Sequence, residues 1–159
     1  MLKIAILTMS DKGSRGERID QSGQVIKEMV SSLGDILLYE VIPDEKELIK
    51  GKLIEYSEKV DLILTTGGTG LSPRDVTPEA TLEVIDRQIP GIPEAMRYEG
   101  LKKTPRAMLS RSVAGVRGRC LIINLPGSPK AVRENLEVIL PVIAHAIDKI
   151  KGDTSECAL

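Results

Sequence analysis

A glycine-rich segment followed by an arginine and a carboxylate is the first feature of this sequence that could do chemistry. Residues 65–75 read TTGGTGLSPRD, and the backbone N–H groups of such small residues can face an anion without a Cβ in the way. The segment is not a Walker A loop, and Pro73 stands where the dinucleotide-binding fingerprint needs its third glycine. Because glycines also mark sharp exits from buried strands, the interpretation depends on the residues that follow.

Those residues favour a phosphate site that includes a metal ion. Arg74 and Asp75 stand just ahead of a predicted helix start at Thr77. Guanidinium groups and helix N-termini attract phosphate, and a carboxylate is a natural Mg²⁺ ligand. Asp75 and Asp44 each have a simpler explanation as neighbours of a helix cap. Two acidic groups beside phosphate-binding loops make a Mg²⁺–nucleotide site the more economical hypothesis.

A second loop repeats this pattern near the end of the sequence. Residues 126–130 read PGSPK, with Ser128 as a helix cap and Pro129 at the first helical position. Lys130 then places a cation in the first turn, where it opposes the helix dipole. A bound anion would offset that cost, whereas the alternative is a solvated lysine.

The elements that must position these loops alternate along the chain. Strands are predicted at residues 2–7, 36–42, 60–66 and 120–125. Helices are predicted between Asp20 and Gly34, from Asp44 to about Tyr56, at residues 77–87 and 93–100, and from Ser128 onward. Strands separated by such helices predict parallel pairing with right-handed crossovers. The predicted fold is a single-domain, Rossmann-like three-layer α/β/α sandwich with a mostly parallel central sheet.

This pattern predicts one domain over residues 1–151 and a frayed tail over residues 152–159. Signals between residues 90 and 111 are mixed. Arg106 and Arg111 lie in that stretch, where they could reach an anionic substrate or be solvated.

The loops with chemical potential share one position in this fold. Residues 8–11, 43–45, 65–70 and 126–130 all follow predicted strands. Ligands of open α/β sheets bind beyond the carboxyl ends of the strands. We therefore expect all four loops at one edge of the sheet.

The composition excludes several classes of function. The net charge of −1 argues against a general polyanion binder, and three tyrosines without Phe or Trp leave no platform for stacked bases. The single histidine argues against a Ser-His-Asp relay. No apolar run is long enough for a membrane span or a signal sequence. We expect a cytoplasmic protein without nucleic-acid or membrane partners.

The motifs resemble those of the molybdenum-cofactor proteins that bind molybdopterin. The resemblance covers almost the whole chain and rests on two long motifs, residues 65–78 and 125–130. Shorter motifs at residues 20–23, 43–45, 90–97 and 109–111 accompany them. Within this family the sequence is most similar to the molybdopterin adenylyltransferases and the related G domains of larger proteins.

The resemblance implies a reaction and a set of roles. Molybdopterin and ATP with Mg²⁺ would give adenylyl-molybdopterin and pyrophosphate, priming the pterin for molybdate insertion. Asp75 would be the chief catalytic carboxylate and Mg²⁺ ligand, with Asp44 in support. The phosphate-binding residues would be Gly67, Gly68, Thr69, Gly70, Gly127, Ser128 and Lys130; Thr8, Ser10 and Asp11 would line the nucleotide or pterin pocket, with Arg74 and Glu94 nearby. It also implies a homotrimer that hands its product to a molybdenum-insertion protein.

Three alternatives remain at the level of sequence. A different nucleotidyl or sugar-phosphate enzyme with the same architecture is the weakest, because fold alone does not fix function, and two are stronger. One is the sister branch of hexameric molybdopterin-binding proteins, which oligomer size would distinguish. The other is a non-catalytic pterin-binding or scaffolding module. A pure anion receptor gains nothing from carboxylates beside its phosphate loops, so Asp44 and Asp75 favour an enzyme.

Overall fold

The computed structural model describes residues 1–157. Its strands are β1 Leu2–Met9, β2 Gly34–Ile42, β3 Leu62–Thr66, β4 Arg87–Gln88, β5 Ala114–Arg117 and β6 Cys120–Leu125. Its helices are α1 Asp11–Ser14, α2 Gln21–Val30, α3 Lys46–Ser57, α4 Thr77–Val84, α5 Gly91–Leu101 and α6 Pro129–Ile150, with a 3₁₀ helix at Pro105–Leu109.

The six strands form one sheet in the order β2-β1-β3-β6-β5-β4. The pairs β1–β2, β1–β3 and β3–β6 are parallel, which confirms the mostly parallel sheet predicted from the sequence. Strands β5 and β4 add an antiparallel edge next to β6. The carboxyl ends of β1, β2, β3 and β6 therefore meet at one edge of the sheet.

A separate hydrophobic cluster covers each face of the sheet. Ile4 and Ile6 of β1 face the cluster that contains α2, α5 and α6, whereas Ala5 and Leu7 face the cluster that contains α3 and α4. This alternation is what a strand between two helical layers requires. The three-layer α/β/α sandwich is confirmed.

Several element boundaries differ from the predictions. Helix α2 ends at Val30, and Gly34 begins β2 instead of ending the helix. Helix α4 ends at Val84 and not at Arg87, because residues 87–88 pair with β5. Helix α3 has Glu45 and not Asp44 at its N-cap.

The sequence did not predict the antiparallel edge of the sheet. Its strands have only two and four residues, and β5 contains Gly115. A Cβ on Gly115 would lie 2.6 Å from the Arg87 carbonyl oxygen, so the close approach of β4 requires glycine. Local hydrophobic patterning cannot detect strands this short.

Within residues 1–157 no helix has both the length and the hydropathy needed to cross a membrane. Residues 152–157 form no helix or strand, and the last two residues of the predicted tail lie outside the described chain.

Candidate active site

A cleft of about 880 Å³ opens at the carboxyl edge of the parallel strands. This volume falls in the usual range for small-molecule sites. The cleft brings together ten of the residues predicted from the sequence: Thr8, Ser10, Asp11, Asp44, Gly67, Gly68, Arg74, Asp75, Gly127 and Ser128. All four predicted loops contribute to it, so the expected convergence at one edge is observed.

The glycine turn after β3 depends on close packing as well as on backbone freedom. Gly67 and Gly68 have φ of +92° and +69°, a region that L side chains rarely adopt. A Cβ on Gly67 would lie 2.3 Å from the Met9 carbonyl oxygen, and one on Gly68 would lie 2.3 Å from Thr77 Oγ1. Gly67 donates its N–H to the Leu125 carbonyl at 3.3 Å. That amide thus ties the turn to β6.

Asp11 and Asp44 lie side by side in the cleft wall and bind each other's backbone. The Asp11 N–H donates to Asp44 Oδ2 at 3.1 Å, and the Asp44 N–H donates to Asp11 Oδ1 at 3.0 Å. Arg74 donates to both carboxylate oxygens of Asp11, at 3.0 and 2.8 Å. The guanidinium that the sequence placed near phosphate therefore forms a two-point ion pair with Asp11.

Asp75 lies beside Gly70, at the end of the glycine turn. Its Oδ2 accepts the Ser72 N–H at 2.9 Å, and its own N–H donates to the Ser72 carbonyl at 2.9 Å. A Cβ on Gly70 would lie 2.9 Å from Asp75 Oδ2. The missing side chain at Gly70 thus leaves space for this carboxylate.

The pKa values of Asp44 and Asp11 are shifted in opposite directions. Burial raises the pKa of Asp44, and the negative charges of Asp11 and Asp75 raise it further, although the Asp11 amide opposes them. Hydrogen bonds from Arg74 lower the pKa of Asp11, and the bond with the Asp44 backbone lowers it further. Asp44 therefore carries a charge that the fold itself does not fully compensate.

The carboxylates fit a magnesium ion that arrives with a phosphate ligand. No group of three or more His, Cys, Asp or Glu side chains within residues 1–157 is arranged to hold a metal alone. Mg²⁺ commonly uses one or two protein carboxylates and completes its shell with water and substrate phosphates. Asp44 and Asp75 supply only oxygen donors and lie close enough for their charges to interact.

The opposite wall of the cleft contains the beginnings of α2 and α6. Ser128 caps α6 by accepting the Ala131 N–H at 3.2 Å. Ser22 in the first turn of α2 donates from Oγ to the Gly127 carbonyl at 2.5 Å. The two helix N-termini are thereby held side by side, which concentrates positive dipole ends at the cleft.

Asp20 is a cleft residue to which the sequence analysis gave no binding role. One oxygen accepts the Gly23 N–H at 3.0 Å, and the other accepts the Thr8 hydroxyl at 2.8 Å and the Tyr39 hydroxyl. Burial and Asp20 raise the pKa of Tyr39, so its hydroxyl keeps the proton that it donates. This network fixes the start of α2 against β1 and β2.

Other lining residues were also missed: Lys12, Arg18, Gln21, Ser22 and Ser72. The polar run after β1 was the available signal, because it follows a strand that ends at the binding edge. Thr69, Gly70, Glu94 and Lys130 were predicted as site residues but do not line the cleft in the described chain. Glu94 is exposed in the first turn of α5, and the Lys130 side chain is 87% exposed.

Together these features define an α/β protein with a cleft at the carboxyl edge of its sheet, lined by groups that suit a phosphoanion. A glycine turn and two helix N-termini can receive phosphate, and the carboxylates can receive its metal ion.

Comparison with known proteins gives the family. Residues 5–145 match the family described as "Probable molybdopterin binding domain", and this chain belongs to that family. The chain is 44% identical over 160 residues to a molybdopterin adenylyltransferase of Helicobacter pylori, covering 96% of this chain and 89% of that protein. It is 41% identical to the molybdopterin adenylyltransferase of Escherichia coli K12, covering 92% and 80%.

Solved structures agree with the sequence relatives. A molybdopterin biosynthesis enzyme MoaB from Thermus thermophilus superposes with a TM-score of 0.90 at 54% identity, covering 96% of this chain and 98% of that chain. The family resemblance predicted from the motifs is confirmed, and it places the chain in molybdenum cofactor biosynthesis.

Proposed function

We propose that this protein catalyses adenylyl transfer from ATP to molybdopterin. The observation that carries the proposal is the pair of carboxylates, Asp44 and Asp75, facing a glycine turn in a cleft lined with helix N-termini. Relatives named molybdopterin adenylyltransferase, at 41–45% identity over most of the chain, support catalysis over a purely binding role.

The reaction needs little acid–base chemistry. An oxygen of the molybdopterin phosphate forms a bond to the α-phosphorus of ATP. The bond from that phosphorus to the bridging oxygen breaks, and its electron pair leaves with pyrophosphate. A phosphate near neutral pH is already a nucleophile, so the protein needs no histidine or serine base. Its task is to bring two anions together and to stabilise charge on the transferred group.

Particular residues supply this stabilisation in our proposal. The glycine turn and the N-termini of α2 and α6 bind phosphate oxygens through backbone N–H groups. Asp44 and Asp75 hold Mg²⁺, which when bound neutralises phosphate charge. Without a cation, two carboxylates would repel the phosphates that the rest of the cleft attracts. Burial raises the pKa of Asp44, and the nearby negative charges of Asp11 and Asp75 raise it further.

The assembly and location are part of the same proposal. We infer a homotrimer that acts in the cytoplasm and passes its product to a molybdenum-insertion protein. The sister branch of hexameric proteins is the alternative, and one structural neighbour at 34% identity, from Pyrococcus furiosus, is described as a tungsten cofactor synthesizing protein MoaB. Light scattering of the purified protein distinguishes three subunits from six.

The deciding experiment is pyrophosphate release from ATP and Mg²⁺, with and without molybdopterin. We expect release only when molybdopterin and Mg²⁺ are both present, and loss of release when the metal is chelated. Tight pterin binding without pyrophosphate release would contradict the proposal and indicate a carrier or scaffold.

A further inference from the structure

Arg111 makes an unusual set of contacts with the loop that carries Asp75. Its backbone N–H donates to the Thr69 carbonyl at 3.0 Å. Its Nε donates to the Gly70 carbonyl at 2.8 Å, and its Nη2 donates to the Asp75 carbonyl at 2.8 Å. Arg111 therefore binds three carbonyl oxygens of this loop, two before its exposed tip at residues 71–74 and one after it.

The remaining guanidinium nitrogen contacts the helix that follows the loop. Arg111 Nη1 pairs with Glu79 Oε1 in the first turn of α4. The other Glu79 oxygen is buried without a hydrogen-bond partner among residues 1–157. Arg111 thus joins the glycine turn, Asp75 and the start of α4 into one unit.

The segment that carries Arg111 is itself fixed on both sides. Arg97 of α5 donates to the carbonyls of Ser110 and Ser112 at 3.2 and 3.3 Å. One residue further on, the Val113 N–H donates to Asn124 Oδ1 at 3.2 Å, and the Asn124 N–H donates to the Val113 carbonyl. The backbone on both sides of Arg111 is therefore held by hydrogen bonds, which limits the movement of its guanidinium.

We propose that Arg111 is a positioning residue for adenylyl transfer, which holds the Asp75 loop in the geometry that the reaction needs. This inference rests on the proposed function. Arg111 does not line the cleft within the described chain, so it acts through the loop and not on the substrate. Its planar fork of donors can bind two carbonyls and a carboxylate together, which a lysine ammonium cannot do in this geometry.

The test uses Arg111→Lys, which keeps the positive charge beside Glu79 but loses the fork. We expect kcat for pyrophosphate release to fall by about 10- to 100-fold, the scale of a small misplacement of reacting groups. The KM values for ATP and molybdopterin should change by less than about threefold, because the phosphate-binding groups remain. A general loss of folded protein would also lower the apparent kcat at unchanged KM, so rates are compared per folded molecule.

Hydrogen exchange provides a readout that is independent of catalysis. Amide protection over residues 69–75 should fall in Arg111→Lys and stay unchanged elsewhere. Arg117→Lys is the matched control, because Arg117 also donates to a backbone carbonyl, that of Val84 at 2.8 Å, at the far end of α4. It should change neither kcat nor protection of the loop.

The possible outcomes are distinguishable. Unchanged protection in Arg111→Lys, or unchanged kcat despite lost protection, would overturn the positioning role. Absence of molybdopterin-dependent release in the unaltered protein would instead overturn the proposed function, while the exchange measurement would still report whether Arg111 holds the loop.

Discussion

The two halves of the sheet contribute to the cleft in different ways. The parallel strands β2, β1, β3 and β6 deliver their ends and loops directly to it. The antiparallel strands β5 and β4 lie on the far side of β6, and no lining residue of the described chain comes from residues 76–126. Yet Arg111, just before β5, holds the loop that carries Asp75.

This difference separates the groups that would meet substrate from the groups that orient them. The parallel half has the glycine turn, the helix N-termini and the carboxylates. The segment just before the antiparallel edge carries Arg111, which contacts the Asp75 loop from outside the cleft. Substitutions in the parallel half should therefore affect chemistry and binding, whereas substitutions at the junction with the edge should affect stability or loop geometry.

The largest effect is expected from Asp75→Asn, which tests the parallel half as the seat of chemistry. We expect kcat to fall by about 10²- to 10³-fold, since a preorganised group that stabilises developing charge is worth that much. Binding of molybdopterin should change by less than about threefold. Pyrophosphate release and a pterin titration measure the two effects.

Asp86→Asn is the matched control for that experiment. Asp86 is an exposed aspartate that accepts the Gly118 N–H at 2.6 Å, as Asp75 accepts the Ser72 N–H, but it lies near the antiparallel edge. It should retain full activity. Turnover by Asp75→Asn equal to that of the unaltered protein would remove Asp75 from the proposed mechanism.

The next largest effect is expected at Asn124, which joins the two halves. Its side chain is fully buried, donates to Thr65 and Thr81 at 3.0 Å each, and accepts from Val113. Asn124→Ala should lower the free energy of unfolding by about 2–3 kcal/mol, because it leaves buried polar groups unpaired. Urea unfolding measures the loss.

Asn135→Ala is the control for that loss. Among residues 1–157, Asn135 donates only to the Ala131 carbonyl of its own helix, at 2.7 Å, and it is half-buried. Its removal should cost less than about 1 kcal/mol. Equal losses in the two variants would show that Asn124 does not link the halves.

Asp44→Asn should raise the stability of the protein at neutral pH and lower its activity. Because folding raises the pKa of Asp44, the stability that this carboxyl contributes is greatest at acid pH, where the group is protonated. That stability is lost as the pH rises through the folded-state pKa. The asparagine variant should therefore have the higher Tm at neutral pH, and its advantage should shrink as the pH falls. Activity should decrease by about tenfold or more.

Asp11→Asn should show the opposite dependence on pH. Its lowered pKa adds stability above the unfolded-state value, and that stability disappears as the pH falls through the folded-state pKa. Thermal melts from acid to neutral pH compare the two variants. Parallel curves would mean that the two carboxylates do not differ as the structure indicates.

The smallest effect is expected from Lys130→Ala. Its side chain is 87% exposed, and its ammonium is 4.0 Å from Glu134. We expect KM for either substrate to change by less than about threefold. Lys12→Ala, in contrast, removes a cation from the cleft wall and should raise KM more. A larger effect at Lys130 would mean that α6 approaches the ligand more closely than its exposure indicates.

The sequence predicted the parallel half well for a physical reason. Buried parallel strands are short apolar runs, and the loops that follow them meet at one edge whatever their sequence separation. Asp75, Gly67 and Ser128 could therefore be assigned to one site before the fold was known. Nothing local indicated β4 or β5, because pairing with a neighbouring strand and not hydrophobic periodicity defines them.

The contacts of the two arginines could not be predicted for a related reason. Arg74 was expected at phosphate, but it pairs with Asp11, far away in sequence. Arg111 had two open interpretations, and the structure gives a third, contact with the carbonyls of a distant loop. Sequence spacing does not reveal a partner that lies far away along the chain, whether it is a carboxylate, as for Arg74, or a backbone carbonyl, as for Arg111.

The pairing of β3 with β6 also determines when the cleft can exist. Leu62 of β3 pairs with Leu121 of β6, whereas the other parallel pairs, β1–β2 and β1–β3, lie within residues 2–66. Pairing of β3 with β6 closes the long segment between Thr66 and Cys120. Closing such a segment is entropically costly, and it is slow compared with local pairing. A chain emerging from the ribosome can form β1, β2 and β3 early, but Gly127 and Ser128 join them only after β6 has been made. Ligand binding is therefore deferred until β6 and the loop after it have been made, and the ligand can stabilise only a fold that includes them.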